Sequence, residues 1–168
     1  MRSFHDKLVS RDALSGLASG FSKAQKTLVS TNGCFDLLHL GHIEYLQSAK
    51  RFGDVLLVGV NSDASVRKLK GRGRPVQDET TRALQIAALE SVDYVFLFSD
   101  LTPVEWLEAL RPQVHVKGAD YLNKEMPERE VIAAWGGRIE LIPFLEGYST
   151  TGLIERLKTL PDKDGSGR

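Results

Sequence analysis

The sequence predicts an α/β fold: a doubly wound, parallel five-stranded sheet with helices on both faces. Three observations point there. Five short apolar runs lie at 27–31, 55–60, 94–98, 114–117 and 139–143, each bounded by turn residues. Segments with helical spacing of apolar residues alternate with them. Buried parallel strands joined by helical crossovers produce that order.

The elements follow one another plainly. Residues 27–31 (TLVST) form a first buried strand, and 32–40 a loop containing Gly33. A helix is expected over 41–52, where Ile43, Leu46 and Ala49 recur at helical spacing. After the strand at 55–60 (VLLVGV), the basic, Gly/Pro-punctuated stretch 66–77 reads as a loop, or a short helix followed by one. Asp78 suits the cap of a helix over 78–90. Pro103 opens the next helix and Pro112 ends it. The segment 127–135 is a helix stopped by Gly136 and Gly137, and 149–160 is the last helix. Residues 1–25 read as a leader helix region packed on the sheet or on a partner chain, and the polar tail 161–168 as a flexible end. The whole, 1–168, fits one Rossmann-like domain.

Composition removes several classes of function. Lys+Arg and Asp+Glu are both 22, so the net charge is zero and gives no global pull toward nucleic acid or a membrane surface. No apolar run approaches the length of a membrane span, and the first residues lack the apolar core of a secretory signal. Cys34 is the sole cysteine, so no internal disulfide forms, and a cytoplasmic location is expected.

Ligands of such sheets bind beyond the carboxyl ends of the strands, so the loops after strands carry the functional reading. The first runs from Asn32 through Gly33, Cys34, Phe35 and Asp36 to His39, Gly41 and His42. Gly33 lets the chain turn where a side chain would obstruct a phosphate, and the following amides can face its oxygens. His39 and His42, three apart, fall on one face at a helix start, beside unpaired N–H groups and the positive dipole end. These parts make an anion cradle for a triphosphate. A zinc site is the rival, but it wants further Cys or His ligands, and His5 and His115 are remote in sequence. Cys34 as a nucleophile is a further alternative.

The other loops add to the cradle. Asn61 and Asp63 follow the second strand, where Asp63 is either a ligand contact or a helix cap. Arg67, Lys68, Lys70, Arg72 and Arg74 are interleaved with Gly71 and Gly73. They form either a solvated charged loop or a mobile clamp on phosphates. Nucleic-acid binding is disfavoured because no aromatic residues interleave to stack bases. Arg82 on the next helix is placed to reach the phosphates. Lys117, Gly118 and Asp120 follow the fourth strand, where a Lys117–Asp120 ion pair is the structural alternative to ligand binding. Tyr148, Ser149, Thr150 and Thr151 follow the fifth and can cap a helix and bind phosphate together.

The string GCFDLLHLGH resembles the Gly-x-Phe-Asp-x-x-His-x-Gly-His signature of the cytidylyltransferase-like nucleotidyltransferases. The resemblance implies that His39 and His42 contact the NTP phosphates and stabilise the transition state. The loops at 60–65, 68–76, 88–93, 117–121 and 149–151 are in turn similar to the adenylyltransferase half of bacterial heptose-phosphate enzymes. That half makes ADP-heptose from ATP and D-glycero-β-D-manno-heptose 1-phosphate. Many such proteins carry a sugar-kinase domain, for which this chain has no room, so a stand-alone adenylyltransferase is expected. Glycerol-3-phosphate cytidylyltransferases carry an arginine before their Ser-Thr-Thr motif; residues 143–147 here have none.

The expected catalytic set is therefore His39, His42, Lys68 and Lys70. The nucleotide set is Asn32, Gly33, Cys34, Phe35, Gly41, His42, Lys117, Gly118, Asp120, Tyr148, Ser149, Thr150 and Thr151. The acceptor set is Asp36, Asn61, Asp63, Arg74 and Arg82. Mg²⁺ is expected with the nucleotide phosphates rather than on a protein metal site. The expected partners are ATP and a sugar 1-phosphate, without nucleic acid or membrane, and the resemblance implies a homo-oligomer, dimer or tetramer.

Overall fold

The computed structural model describes residues 3–160. The tail expected over 161–168 lies outside the described residues. Five parallel strands form one sheet: β1 (Leu28–Gly33), β2 (Val55–Asn61), β3 (Tyr94–Phe98), β4 (Val114–Gly118) and β5 (Arg138–Ile142), in the order β3-β2-β1-β4-β5. The order reverses between β1 and β4, which makes their carboxyl ends the switch point at which such sheets bind ligands.

Helices pack on both faces because the strand residues alternate in direction. On one face, α2 (Leu40–Lys50) and α4 (Glu79–Ala87) bring Leu46, Ala49, Ala83, Ile86 and Ala87 against Val29, Leu56, Val58, Val60, Val114 and Val116. On the other, α1 (Leu14–Lys23), α5 (Val104–Leu110) and α6 (Glu128–Ala133) bring Leu14, Trp106, Leu107, Leu110 and Ile132 against Leu28, Val55, Leu57, Phe96 and Phe98. Gly59 leaves the room that the Phe96 and Phe98 rings occupy, since a Cβ there would come within 3.1 Å of Phe96. The remaining helices are α3 (Asp63–Lys70) and α7 (Thr150–Lys158).

The element ends show where local sequence signals were overridden. β1 continues two residues past the expected 31, because Asn32 and Gly33 still pair with Gly59 and Val60 of β2. The basic stretch begins as α3, capped by Ser62, which accepts from the Ser65 amide at 3.2 Å. Asp78 caps α4 as expected, accepting from Thr81 N–H at 2.9 Å, a contact worth about 1 kcal/mol. α5 ends at Leu110, two residues before Pro112, with Arg111 in the left-handed region at φ 46°.

The leader packs on this chain's own sheet. A 3₁₀ turn at Phe4–Lys7 precedes a parallel bridge between Leu8 and Val95, and Val9 N–H donates to the Val95 carbonyl at 2.9 Å. Lys7 Nζ donates to the carbonyls of Leu89 and Val92, and Arg11 pairs with Asp100 and Glu105, each at 2.8 Å. No helix among the described residues is long and apolar enough to cross a membrane.

Candidate active site

A cleft of about 690 Å³ opens at the carboxyl ends of β1, β2 and β4, and most of the expected site residues line it. Lys68, Asp63 and Arg82 do not.

The centre of the cleft is the β1–α2 loop. His39 is the N-cap of α2 in extended backbone, and its Nδ1 accepts from His42 N–H at 3.3 Å. That bond puts the remaining proton of a neutral His39 on Nε2, where it can be donated. The His42 ring stacks on His39 with centroids 3.7 Å apart and meets the Phe35 ring edge-on at 5.3 Å. Burial pushes the His42 imidazole down to about 4; nearby His39 adds to this, and the Leu37 carbonyl and Asp36 oppose it. Burial also lowers His39. Both rings are thus neutral N–H donors at neutral pH, stacked without like-charge repulsion, at the positive end of a helix.

The glycines serve close packing more than loop freedom. A Cβ on Gly33 would come 3.0 Å from the Phe35 ring, and one on Gly41 3.1 Å from the His39 ring and 3.2 Å from Tyr148 Cβ. The turn itself is made by Phe35, at φ 44°. A Cβ on Gly118 would overlap the Phe144 ring and lie 2.8 Å from Asp120 Oδ1. Gly118→Ala is therefore expected to push Phe144 and Asp120 out of place in the cleft. An overpacking cost of about 1–2 kcal/mol, felt in binding, raises the nucleotide KM by roughly 5–30-fold. Steady-state kinetics read this, with kcat and the melting temperature little changed because the Phe144 side chain is exposed and can move.

Three expected ligand contacts turn out to organise the cleft from beneath. The Asp36 carboxylate is fully buried. It accepts from Arg74 Nε at 2.6 Å, from the Val76 amide at 2.8 Å and from the Gln77 amide at 3.0 Å. Its oxygens hold the loop at 71–77 from the cleft's edge. Arg82, also fully buried, donates to the carbonyls of Cys34 and Gln77 and pairs with Asp63 at 2.8 Å. It holds the β1–α2 loop and the 71–77 loop together instead of reaching into the cleft. Asp63 is neither ligand contact nor cap: Ser62 is the cap, and Asp63 answers Arg82.

The clamp residues divide. Lys70 and Arg74 line the cleft, whereas Lys68 is exposed on α3 away from it. Arg74 gives Nε to Asp36, and among the described residues no partner takes its terminal amines. Asn61 lines the cleft and donates to Ser65 Oγ at 2.9 Å. On the other side, Ser149 caps α7 and accepts from the Gly152 amide at 3.0 Å, with Tyr148, Thr150 and Thr151 beside it. Cys34 lines the cleft as a half-buried thiol raised by burial, which makes it a poor nucleophile.

Lys117 does not pair with Asp120. It pairs with Glu128 at 2.8 Å and donates to Asn32 Oδ1 at 2.9 Å, while Asp120 is taken by Lys124 at 2.6 Å. Glu128 escaped the sequence reading. Its signal is a lysine inside an apolar strand, which needs a buried counter-charge, but several carboxylates nearby could have supplied it. The apolar wall made by Leu69, Phe98, Leu101, Phe144 and Leu145 was missed for a different reason. Apolar residues at or just beyond the ends of strands and helices look like core.

The chain matches the family model described as cytidylyltransferase-like over residues 30–156. It is 50% identical over 153 residues to the bifunctional protein HldE of Geotalea uraniireducens, covering 91% of this chain and 31% of that protein. It is 48% identical over 156 residues to the bifunctional protein HldE of Trichlorobacter lovleyi, covering 93% and 32%. The chain spans about a third of the length of these curated relatives. A solved lipopolysaccharide core biosynthesis protein from Thermoplasma volcanium superposes with a TM-score of 0.61 at 29% identity, covering 74% of this chain and 99% of that one. The matched stretch holds the His39–His42 pair and the whole sheet apart from the first two residues of β1, and the chain belongs to the cytidylyltransferase-like family of nucleotidyltransferases.

Proposed function

We propose that this chain transfers AMP from ATP to D-glycero-β-D-manno-heptose 1-phosphate, releasing pyrophosphate and ADP-heptose, a precursor for lipopolysaccharide or a related surface glycan, in the cytoplasm. The observation that carries the chemistry is the neutral, stacked His39–His42 pair at the α2 N-terminus, in the floor of a cleft walled by Lys70, Arg74 and Lys117. The choice of substrates is supported by the loop motifs after β2, β4 and β5, by the lack of an arginine at 143–147, and by the likeness to the HldE proteins and to the lipopolysaccharide core protein.

The nucleotide occupies the β4–β5 side, against Lys117, Asp120 and residues 148–151. The acceptor occupies the β2–β3 side, against Asn61, Lys70 and Arg74. An oxygen of the acceptor phosphate attacks the α-phosphorus in line; the bond from that phosphorus to the bridging oxygen breaks, and pyrophosphate leaves. The acceptor phosphate is already ionised at neutral pH, so the site has no need of a strong general base. Catalysis rests on positioning and on donors aimed where charge builds. His39 Nε2–H and the His42 ring donate to those oxygens, and Lys70 and Arg74 neutralise the rest.

Mg²⁺ is a passenger of the nucleotide in this reading. Among the described residues no group of three or more His, Cys, Asp or Glu could hold a metal. Of the cleft carboxylates, Asp36, Asp120 and Glu128 are each engaged by a cation of the chain, and Glu125 is exposed to solvent. A Mg²⁺ bound mainly by phosphate oxygens and water would screen the leaving group's charge.

Pyrophosphate release tests the proposal, with ATP and CTP each set against heptose 1-phosphate and glycerol 3-phosphate. Turnover is expected with ATP and heptose 1-phosphate alone. Turnover with CTP alone would keep the histidine chemistry and overturn the substrates.

A further inference from the structure

Lys117 is an unusual lysine. It is the penultimate residue of β4, in the cleft wall, yet its side chain is only 5% exposed, and that of its partner Glu128, the first residue of α6, only 3%. Two of its three ammonium protons are committed, one to Glu128 Oε1 at 2.8 Å and one to Asn32 Oδ1 at 2.9 Å on β1. The Tyr121 ring lies 4.8 Å from Nζ. The third proton is left for a ligand, since Lys117, Asn32, Tyr121 and Glu128 all line the same cleft. An ion pair this buried contributes little net stability compared with an apolar pair of the same shape. Ile132, one turn further along α6, shows that the helix can bury an apolar residue against the core. The pair's place in the cleft wall therefore points to the ligand rather than to the fold.

We propose that Glu128 is a positioning residue for nucleotide binding: it keeps the buried Lys117 charged and, with Asn32, aims its free proton at the triphosphate. The proposal rests on the nucleotide reading of the cleft. Burial works against the ammonium and holds Lys117 below the ordinary lysine range, and Glu128 is the main group opposing that loss. The other titratable groups facing Lys117 cannot replace it. Asp120 is partly exposed and engaged by Lys124, Tyr121 is raised by burial and uncharged, and His115 is kept neutral by burial. Removing the negative charge of Glu128 while keeping its shape should therefore make Lys117 lose its proton at lower pH.

The test is ATP binding by calorimetry from pH 7 to 10 for the wild type, Glu128→Gln and Lys117→Met. For Glu128→Gln the alkaline loss of affinity is expected about one to three pH units below that of the wild type. Lys117→Met should bind about tenfold more weakly at neutral pH and lack that limb. If Glu128→Gln follows the wild type at every pH, or Lys117→Met binds as the wild type does, the proposal is overturned and the nucleotide reading stands. If the wild type binds no ATP, the nucleotide reading falls and takes the proposal with it. Should Glu128→Gln not fold, the wild-type Lys117 Cε resonance, assigned by its loss in Lys117→Met, must shift when ATP is added. An unmoved resonance overturns the proposal.

Discussion

His42→Ala is expected to lower kcat by about 100–1,000-fold, the usual cost of losing one donor aimed at developing charge. The ring is half-buried in the cleft floor, fixed between the His39 face and the Phe35 edge, so its donor is preorganised before the substrate arrives. An interaction realised mainly in the transition state lowers kcat and kcat/KM together and leaves the nucleotide KM nearly unchanged. The helix start survives the substitution, because the His42 amide donates to His39 through the backbone. Steady-state pyrophosphate release and a thermal melt check both halves. A rate within a few-fold of wild type would remove His42 from the chemistry.

Asp36→Ala is expected to cost about 3–5 kcal/mol of stability, the range for removing one partner of a buried ion pair. The Arg74 guanidinium and the amides of Val76 and Gln77 would lose their acceptor together. The loop at 71–77 would lose its anchor at the cleft, so kcat/KM should fall as well. Urea unfolding measures the first effect and initial rates the second; an unchanged unfolding midpoint would contradict the anchoring role. The linkage has a definite sign. Burial alone would raise the Asp36 carboxyl, but the Gln77 and Val76 amides and Arg74 outweigh it and hold the carboxyl below its ordinary value. Its contribution is therefore present above about pH 4 and is lost as pH falls below that, when the folded protein must take up a proton it binds poorly.

What could be read from the sequence was what is local. The five strands and the loops after them are contiguous patterns, and the histidine pair sits within one short string between β1 and α2. What could not be read depends on direction and distance. Arg82 resembles a surface charge, yet with Ala83, Ile86 and Ala87 it lies on the helix face that packs inward; that spacing was the available warning. Asp36 and Arg74 are 38 residues apart, and no pattern in the chain says that they meet. The Lys117–Glu128 pair joins a strand end to a helix start across a 3₁₀ turn at Ala119–Tyr121. Sequence alone favoured the nearer Asp120.

The leader's course along β3 bears on how the protein behaves at high concentration. An outer strand offers a row of free backbone donors and acceptors to any passing chain, which is how sheets recruit strangers and precipitate. Leu8 and Val9 occupy that row at Val95. The opposite border, β5, carries the charged pair Arg138 and Glu140, 2.7 Å apart. One border is met at its second residue by the protein's own backbone and the other carries a charged pair, two devices that work against growth by recruitment of a second molecule.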